Sequence, residues 1–291
     1  MFEINSPFRY PGGKFYARKL ILEHLMPHEC YIEPFAGGAS IFFAKKKASR
    51  NILNDADPAL INCYLAIRDH VEELIGLLDG IPATKENHHY YKNIYHPTNN
   101  LERAFRWYYL NRISYSGIMN MQNCYWGYGD KYSMQPKNWP THLRRCSTKL
   151  QGVELTCLDF EQAITQAPDN AFLFIDPPYF NADQDKFYTH SFDRASHHRL
   201  ARILHQHRHR LKFLITYDNS PEVREIYRWS NHILEKEWNY TINRTDDQTK
   251  KTTDKGKRYM GQEIFILNYD VNVLPAQLPL GQIEFGLAAA N

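Results

Sequence analysis

The sequence predicts an α/β protein, a parallel sheet flanked by helices and interrupted by one mainly helical insertion. The apolar run Phe172-Leu173-Phe174-Ile175 stops at Asp176-Pro177-Pro178-Tyr179, as a buried strand does where prolines fix the backbone and remove donors. Tyr31-Ile32-Glu33-Pro34-Phe35-Ala36-Gly37-Gly38-Ala39-Ser40 reads as a short strand, a tight glycine turn and a helix beginning near Ile41. Beyond the prolines, Leu200, Ile203 and Leu204 stand at helical spacing within 195–209, and the strand Phe213-Leu214-Ile215-Thr216 follows.

The remaining elements follow in chain order. Asn51-Ile52-Leu53-Asn54-Asp55 is a second strand, and the next helix starts near Pro58 with Asp57 as its cap. A helix over 101–110 packs Phe105, Trp107 and Tyr108 on one side, and a loop over 113–139 reads as a hairpin turning near 127–130. Val153-Glu154-Leu155-Thr156-Cys157 is a strand, a helix begins near Asp159, and another covers 221–229. Strands around Trp238-Asn239-Tyr240-Thr241-Ile242 and Glu263-Ile264-Phe265-Ile266-Leu267 close the pattern. Residues 1–60 and 151–270 thus form one discontinuous domain, 61–150 the helical insertion, and 271–291 a poorly ordered tail without a functional signal.

Composition narrows the class. A chain of 291 residues with 43% hydrophobic content can bury a substantial core. There is no long uncharged apolar stretch, so no membrane span is expected, and residues 1–14 reach Arg9 and Lys14 without an apolar leader. The five cysteines, Cys30, Cys63, Cys124, Cys146 and Cys157, form no CxxC pair, which argues against disulfides and a cysteine zinc site and for a cytoplasmic protein. His197, His198, His205, His207 and His209 fall mostly on the polar side of a helix and read as a solvated face, so no metal site is expected. Charge is unevenly spread: residues 101–150 hold eight Lys or Arg against Glu102 and Asp130, a local +6 within a total of +3. The same segment holds ten aromatics, a mixture suited to phosphate contact and to stacking on bases. The polar stretch 244–258 reads as a loop, with phosphate contact and plain solvation equally open.

The chemistry centres on two segments. After two prolines the chain end at 176–179 offers acceptors, the Asp176 carboxylate and the Pro177 carbonyl, beside the flat face of Tyr179. Those suit a planar base carrying an exocyclic amine; a strand end with an exposed Asp and a packed Tyr is the plainer alternative. The glycine turn lacks the G-x-G-x-x-G spacing and no phosphate-loop Lys-Ser/Thr follows Gly38, which favours an adenosine cofactor other than a dinucleotide or nucleotide phosphate. Asp55, at the end of the second strand, can accept from both ribose hydroxyls or merely cap the following helix.

Taken together, four segments resemble the Dam-type (D12 class) DNA adenine-N6 methyltransferases, in that family's order: Phe8-Arg9-Tyr10-Pro11-Gly12-Gly13-Lys14, Glu33-Pro34-Phe35-Ala36-Gly37-Gly38, Tyr109-Leu110-Asn111-Arg112 with Tyr115-Ser116-Gly117, and Asp176-Pro177-Pro178-Tyr179. The resemblance implies a Rossmann-like S-adenosylmethionine-dependent methyltransferase sheet, closed by an antiparallel strand pair, with 61–150 as a target-recognition insertion. It assigns catalysis to Asp176, Pro177 and Tyr179, and the S-adenosylmethionine site to Tyr10, Lys14, Glu33, Phe35, Gly37, Asp55, Asp159, Phe160 and Asp176, with Asp159 gripping the adenine ring unless it only caps a helix. DNA contact is expected from Arg9, Asn111, Arg112, Tyr115, Asn120, Gln122, Asn123, Tyr125, Trp126, Lys131, Arg144 and Arg145. The run after Asn120 departs from the more arginine-containing hairpin of the GATC-methylating members, which opens the recognition sequence.

The implied partner is double-stranded DNA, with a cognate restriction endonuclease and a monomeric enzyme as further expectations. A cytosine-N4 enzyme usually has Ser where Asp176 stands, and a protein-glutamine methyltransferase tends to have Asn. An RNA adenine methyltransferase and a non-catalytic nucleic-acid-binding regulator remain the alternatives.

Overall fold

A computed structural model describes residues 3–129, 133–181, 192–239 and 260–273. Strands β1 (Cys30–Glu33), β2 (Arg50–Asn54), β3 (Glu154–Thr156), β4 (Phe172–Ile175), β5 (Lys212–Asp218), β6 (His232–Asn239) and β7 (Met260–Leu267) form one sheet in the order β3-β2-β1-β4-β5-β7-β6. The first five are parallel, and β7 lies antiparallel between β5 and β6, the α/β arrangement with a closing antiparallel pair that the sequence predicts. The chain runs outward from β1 to β3 and returns to place β4 on the other side of β1. The carboxyl ends of β1 and β4 therefore border the crevice at which open α/β sheets bind ligands.

The two-residue period of a strand explains how the sheet is covered on both faces. Phe172 and Phe174 of β4 enter one core, while Leu173 and Ile175 enter the other. The second core receives Leu200, Ile203 and Leu204 of α9 (Arg194–His207). The first is shared with the insertion, α3 (Pro58–Asp69), α4 (Val71–Leu78), α5 (Lys85–Asn93), α6 (Asn100–Ile113) and α7 (Trp139–Leu150): Tyr64, Tyr108 and Trp139 pack in one cluster with Phe42 and Phe172. Among the described residues the insertion has no separate core. Short helices α1 (Arg18–His24), α2 (Ser40–Ala44), α8 (Phe160–Thr165) and α10 (Pro221–Ile226) complete the layers. Caps start the helices where the sequence places them: Asp57 accepts from the amides of Ala59 and Leu60 at 2.8 and 3.3 Å, with Pro58 in the first turn.

The amino-terminal segment crosses the insertion as a strap. The Glu3 carboxylate pairs with Lys149, and its carbonyl accepts from Arg145 Nη2 at 3.2 Å. Ser6 O lies 3.1 Å from His142 Nε2, and Pro7 O accepts from Arg112 Nη1 at 3.4 Å.

Several expectations are corrected. The strand expected at 238–242 begins at His232; Glu235 and Lys236 mask it as a strand, and they are tolerated because β6 pairs on one side only. Helix α10 stops at Ile226 because Tyr227 leaves helical geometry at φ −104° and ψ 16°. His197 is buried rather than solvated, packed on Phe180, Phe192 and Tyr217, and burial pushes its imidazole pKa down to about 4. The expectations for Lys131, for 244–258 and for the tail from 274 fall outside the described residues. No described helix is long and apolar enough to cross a membrane.

Candidate active site

The Asp176-Pro177-Pro178-Tyr179 motif leaves the end of β4 and is fastened from neighbouring strands. Asp176 Oδ1 lies 2.6 Å from Lys14 Nζ and accepts from Thr216 Oγ1 at 2.7 Å. Lys14 is buried, donates to Gly12 O at 2.9 Å, and stands 4.8 Å from the centre of the Tyr179 ring. Asp218 accepts from Phe180 N and from Asn181 Nδ2, each at 3.0 Å. Thr216 and Asp218 are two residues apart on β5 and so share a face. Glu263, the partner of Asp218 in the antiparallel register, stands beside them and accepts a hydrogen bond from the Tyr179 hydroxyl.

The glycine turn forms the other wall. Gly37 adopts φ +45°, and a Cβ there would come within 2.9 Å of the Tyr10 ring, so glycine is required both for its conformation and for close packing. Its amide donates to Asp55 Oδ2 at 2.9 Å, and its carbonyl accepts from the Tyr64 hydroxyl at 2.8 Å. Asp55 Oδ1 accepts from Asp57 N at 3.0 Å, so Asp55 ties the turn to the end of β2, while Asp57 alone caps α3. Phe35 stacks on Phe160 at 5.4 Å and meets Phe192 edge-on at 5.5 Å. Asp159 caps α8 by accepting from Glu161 N at 2.9 Å and pairs with Arg199, whose guanidinium lies 4.4 Å from the Phe160 ring.

Glu33 ends β1 as a buried carboxyl. It accepts from the Tyr31 hydroxyl and from Phe42 N, both at 2.8 Å, yet burial outweighs these bonds and pushes its pKa up to about 8. Burial does the same to Glu263, also to about 8, against the opposing charge of Lys14. An acid whose pKa is near 4.5 unfolded and about 8 folded holds a proton that unfolding releases, so stability falls as pH rises between those values. His28 and His197, pushed down to about 4, act in the opposite sense below 6.5. The melting temperature of the ligand-free protein is therefore expected to fall from about pH 6.5 to 8, and Glu33→Gln should flatten that fall. An equal slope in the variant would remove Glu33 from the account.

The hairpin after Ile113 is built on α6. Asn111 is fully buried: its Oδ1 accepts from Arg9 N at 2.9 Å, and its Nδ2 donates to Arg9 O at 2.7 Å and to Gly117 O at 3.1 Å. Arg112 is buried as well. Both were expected at DNA, but both side chains are buried: Asn111 ties Arg9 to Gly117 of the loop, and Arg112 reaches Pro7 O. Arg9 Nη1 reaches Ser114 O at 3.2 Å. The hairpin closes through the Ser114–Trp126 bridge, with Tyr115 N donating to Tyr125 O at 2.8 Å. A turn lies at Asn120–Asn123, where Asn123 N donates to Asn120 O at 2.9 Å; the turn expected near 127–130 runs into Asp130, outside the described residues. Gly127 lets the arms touch, since a Cβ there would lie 2.2 Å from Tyr115 Cα.

Beneath the stem, Ser114 Oγ sits 3.0 Å from both His88 Nε2 and Cys124 Sγ. Tyr115, Gln122 and Tyr125 are exposed beyond it, the tyrosines by 49% and 61%, and Asn123 is half-buried. Asn120 Oδ1 accepts from Gln122 N at 3.0 Å, and half-buried Trp126 packs edge-on against His88. Arg144, expected at phosphates, makes two 2.7 Å bonds to Glu72 on the insertion surface, while Arg145 is exposed beside the strap.

Thr216 and Glu263 escaped the sequence reading, although each is the one polar residue ending an apolar strand run, Phe213–Thr216 and Glu263–Leu267. Because β5 and β7 are antiparallel, those two ends coincide in space. Lys14, expected at the cofactor, also meets the Asp176 carboxylate.

Comparison with known proteins agrees with this geometry. Residues 10–242 match the family described as D12 class N6 adenine-specific DNA methyltransferase. The DNA N-6-adenine-methyltransferase of Escherichia phage P1 is 30% identical over 79% of this chain, which spans about a third (32%) of that relative's length. A Type II methyltransferase of Lactococcus lactis subsp. cremoris is 28% identical over 90% of this chain and 95% of its own, and the DNA adenine methylase of Haemophilus influenzae 27% over 77% and 83%. With the family match covering most of its length and the catalytic motif held at the switch point of the sheet, this chain belongs to the D12 class of N6 adenine-specific DNA methyltransferases, enzymes that transfer a methyl group to adenine N6 in DNA.

Proposed function

We propose that the methyl donor is S-adenosylmethionine and that the substrate is an adenine flipped out of duplex DNA into the crevice between the ends of β1 and β4. The observation that carries this is the state of Asp176: Lys14 and Thr216 both meet Oδ1, which leaves Oδ2 to accept from an adenine amine. The residues present fit the donor. Asp55 offers a carboxylate at the end of β2 for ribose hydroxyls, Phe35 and Phe160 offer an aromatic wall, and the buried Glu33 carboxyl gains an opposite charge when a cation binds near it. Bound there, S-adenosylmethionine supplies a methyl group already activated by its sulfonium charge.

The chain's own residues then prepare the nucleophile. Adenine N6 is a poor one because its lone pair is delocalised into the ring. Acceptors at Asp176 Oδ2 and the Pro177 carbonyl hold its hydrogens and favour a more tetrahedral nitrogen, and Lys14 balances the carboxylate charge. Tyr179 offers its ring to the flipped base in place of the lost stack. Alignment of the reacting atoms supplies much of the acceleration.

On the DNA side, Arg9, Tyr115, Asn120, Gln122, Asn123 and Tyr125 are the residues proposed to meet bases, Asn and Gln by bidentate contact with adenine edges. Arg145 is proposed at the phosphates, and since Glu72 holds Arg144, Arg145→Ala should lower the salt slope of duplex binding by about one and Arg144→Ala by less. Titration over several salt concentrations checks this, and equal slopes in the two variants would move the footprint. A single chain supplies the crevice, the acceptors and the hairpin, which supports a monomeric enzyme working with the DNA in the cytoplasm. Likeness to a Type II methyltransferase supports a cognate restriction endonuclease as a partner.

The test is radiolabelled methyl transfer from S-adenosylmethionine to unmethylated genomic DNA and, separately, to RNA, followed by nucleoside chromatography. Label in N6-methyladenine from DNA is expected. Label only in RNA, or in N4-methylcytosine, would overturn the substrate.

A further inference from the structure

Glu263 has no part in the acceptor set above, yet it is 1% exposed on β7, beside the carboxyl end of β5. Its Oε2 accepts from the Tyr179 hydroxyl, and its Oε1 is buried without a hydrogen-bond partner. A buried polar atom left in that state calls for an explanation. Lys14, Asp176 and Asp218 are the charges that act on Glu263, and Lys14 lies 4.8 Å from the Tyr179 ring that Glu263 holds.

We propose that Glu263 is a positioning residue for methyl transfer, a neutral carboxyl that anchors the Tyr179 ring by its hydroxyl so that the ring waits, already oriented, for the flipped adenine. A tyrosine ring turns about two side-chain bonds, and the two preceding prolines restrict the chain that carries Tyr179; a bond to the hydroxyl fixes where the long axis of the ring points, while Lys14 and Tyr217 beside the ring limit its turn about that axis. Neutrality matters as much as the bond. An ionised Glu263 would be a second carboxylate competing for the Lys14 ammonium and would draw it from Asp176. Held as the acid, it leaves Lys14 on Asp176 Oδ1, where the 2.6 Å contact is found. Burial, which pushes the Glu263 pKa up to about 8, supports that form at neutral pH.

This inference rests on the adenine-methylation reading, and wild-type transfer to DNA separates the two: an inactive wild type defeats the function, whereas an active wild type with the wrong variant pattern defeats only Glu263. The full chain is assayed on a duplex carrying the mapped target site, and extrusion is followed by 2-aminopurine fluorescence at the target position. Glu263→Leu should lower kcat by about ten-fold or more through lost orientation, weaken the fluorescence rise, and leave the duplex Kd unchanged. Glu263→Gln, neutral and still an acceptor, should recover most of that loss. Tyr179→Phe removes the same bond from the other side, so it should match Glu263→Leu, and the double variant should fall no further than either single one. Wild-type kcat and fluorescence in Glu263→Leu, a Gln variant no better than Leu, or additive losses would each overturn the proposal. Should Glu263→Leu fail to fold, Tyr179→Phe decides, and undiminished turnover there counts against it.

Discussion

Asp176→Ala is expected to lower methyl transfer by roughly a hundred-fold or more, the scale set by losing one preorganised contact to the transition state, while duplex affinity stays near wild type. The separation follows from placement. Asp176 meets Lys14 and Thr216 in the crevice, whereas the hairpin and Arg145 are held by α6, α7 and the strap. The contacts proposed to position the duplex and the group proposed to perform the chemistry therefore lie on different elements. The alanine variant also takes the carboxylate partner from an ammonium that is only 3% exposed, and breaking a buried pair costs about 3 kcal/mol. Asp176→Asn keeps the shape and is the fairer test of chemistry. Transfer rates and duplex Kd measured side by side for both variants check the claim, and a normal rate in Asp176→Asn would sink the acceptor role.

Gly117→Ala should do the reverse. Gly117 sits at φ +72°, and a Cβ there would lie 2.2 Å from the Arg9 carbonyl oxygen. That neighbour is backbone, so no side chain can yield, and the contact shared by Arg9, Asn111 and Gly117 must open. Preference for the target site over random duplex is expected to drop by at least about ten-fold, the size of one lost base contact, with cofactor affinity unchanged because Gly37 and Asp55 are held elsewhere. Competition binding between target and random duplexes reads the first quantity, and calorimetric titration with S-adenosylmethionine the second. Loss of both would show that the clash unfolds more than the hairpin.

What was legible in the sequence followed from short-range rules. The run Phe172–Ile175 announced a strand buried on both sides, and its alternate residues do enter two cores. The glycine turn and Asp57 were equally readable because conformation and capping are local. Burial of Asn111 and Arg112 was not, since it depends on a strap more than a hundred positions earlier in the chain. The grip of Glu72 on Arg144 likewise spans two helices. Glu263 became meaningful only once β7 was inserted beside β5.

The shared core of insertion and sheet carries a consequence for how such an enzyme changes its target. The strap, α6 and α7 are bound into the same packed interior as the strands, so exchanging the whole insertion between relatives would tear the interior that supports catalysis. The exposed tip bearing Tyr115, Gln122 and Tyr125 stands outside it. With base contact proposed for that tip, substitutions there are expected to shift specificity one surface residue at a time without threatening the fold, and laboratory retargeting should graft the tip alone.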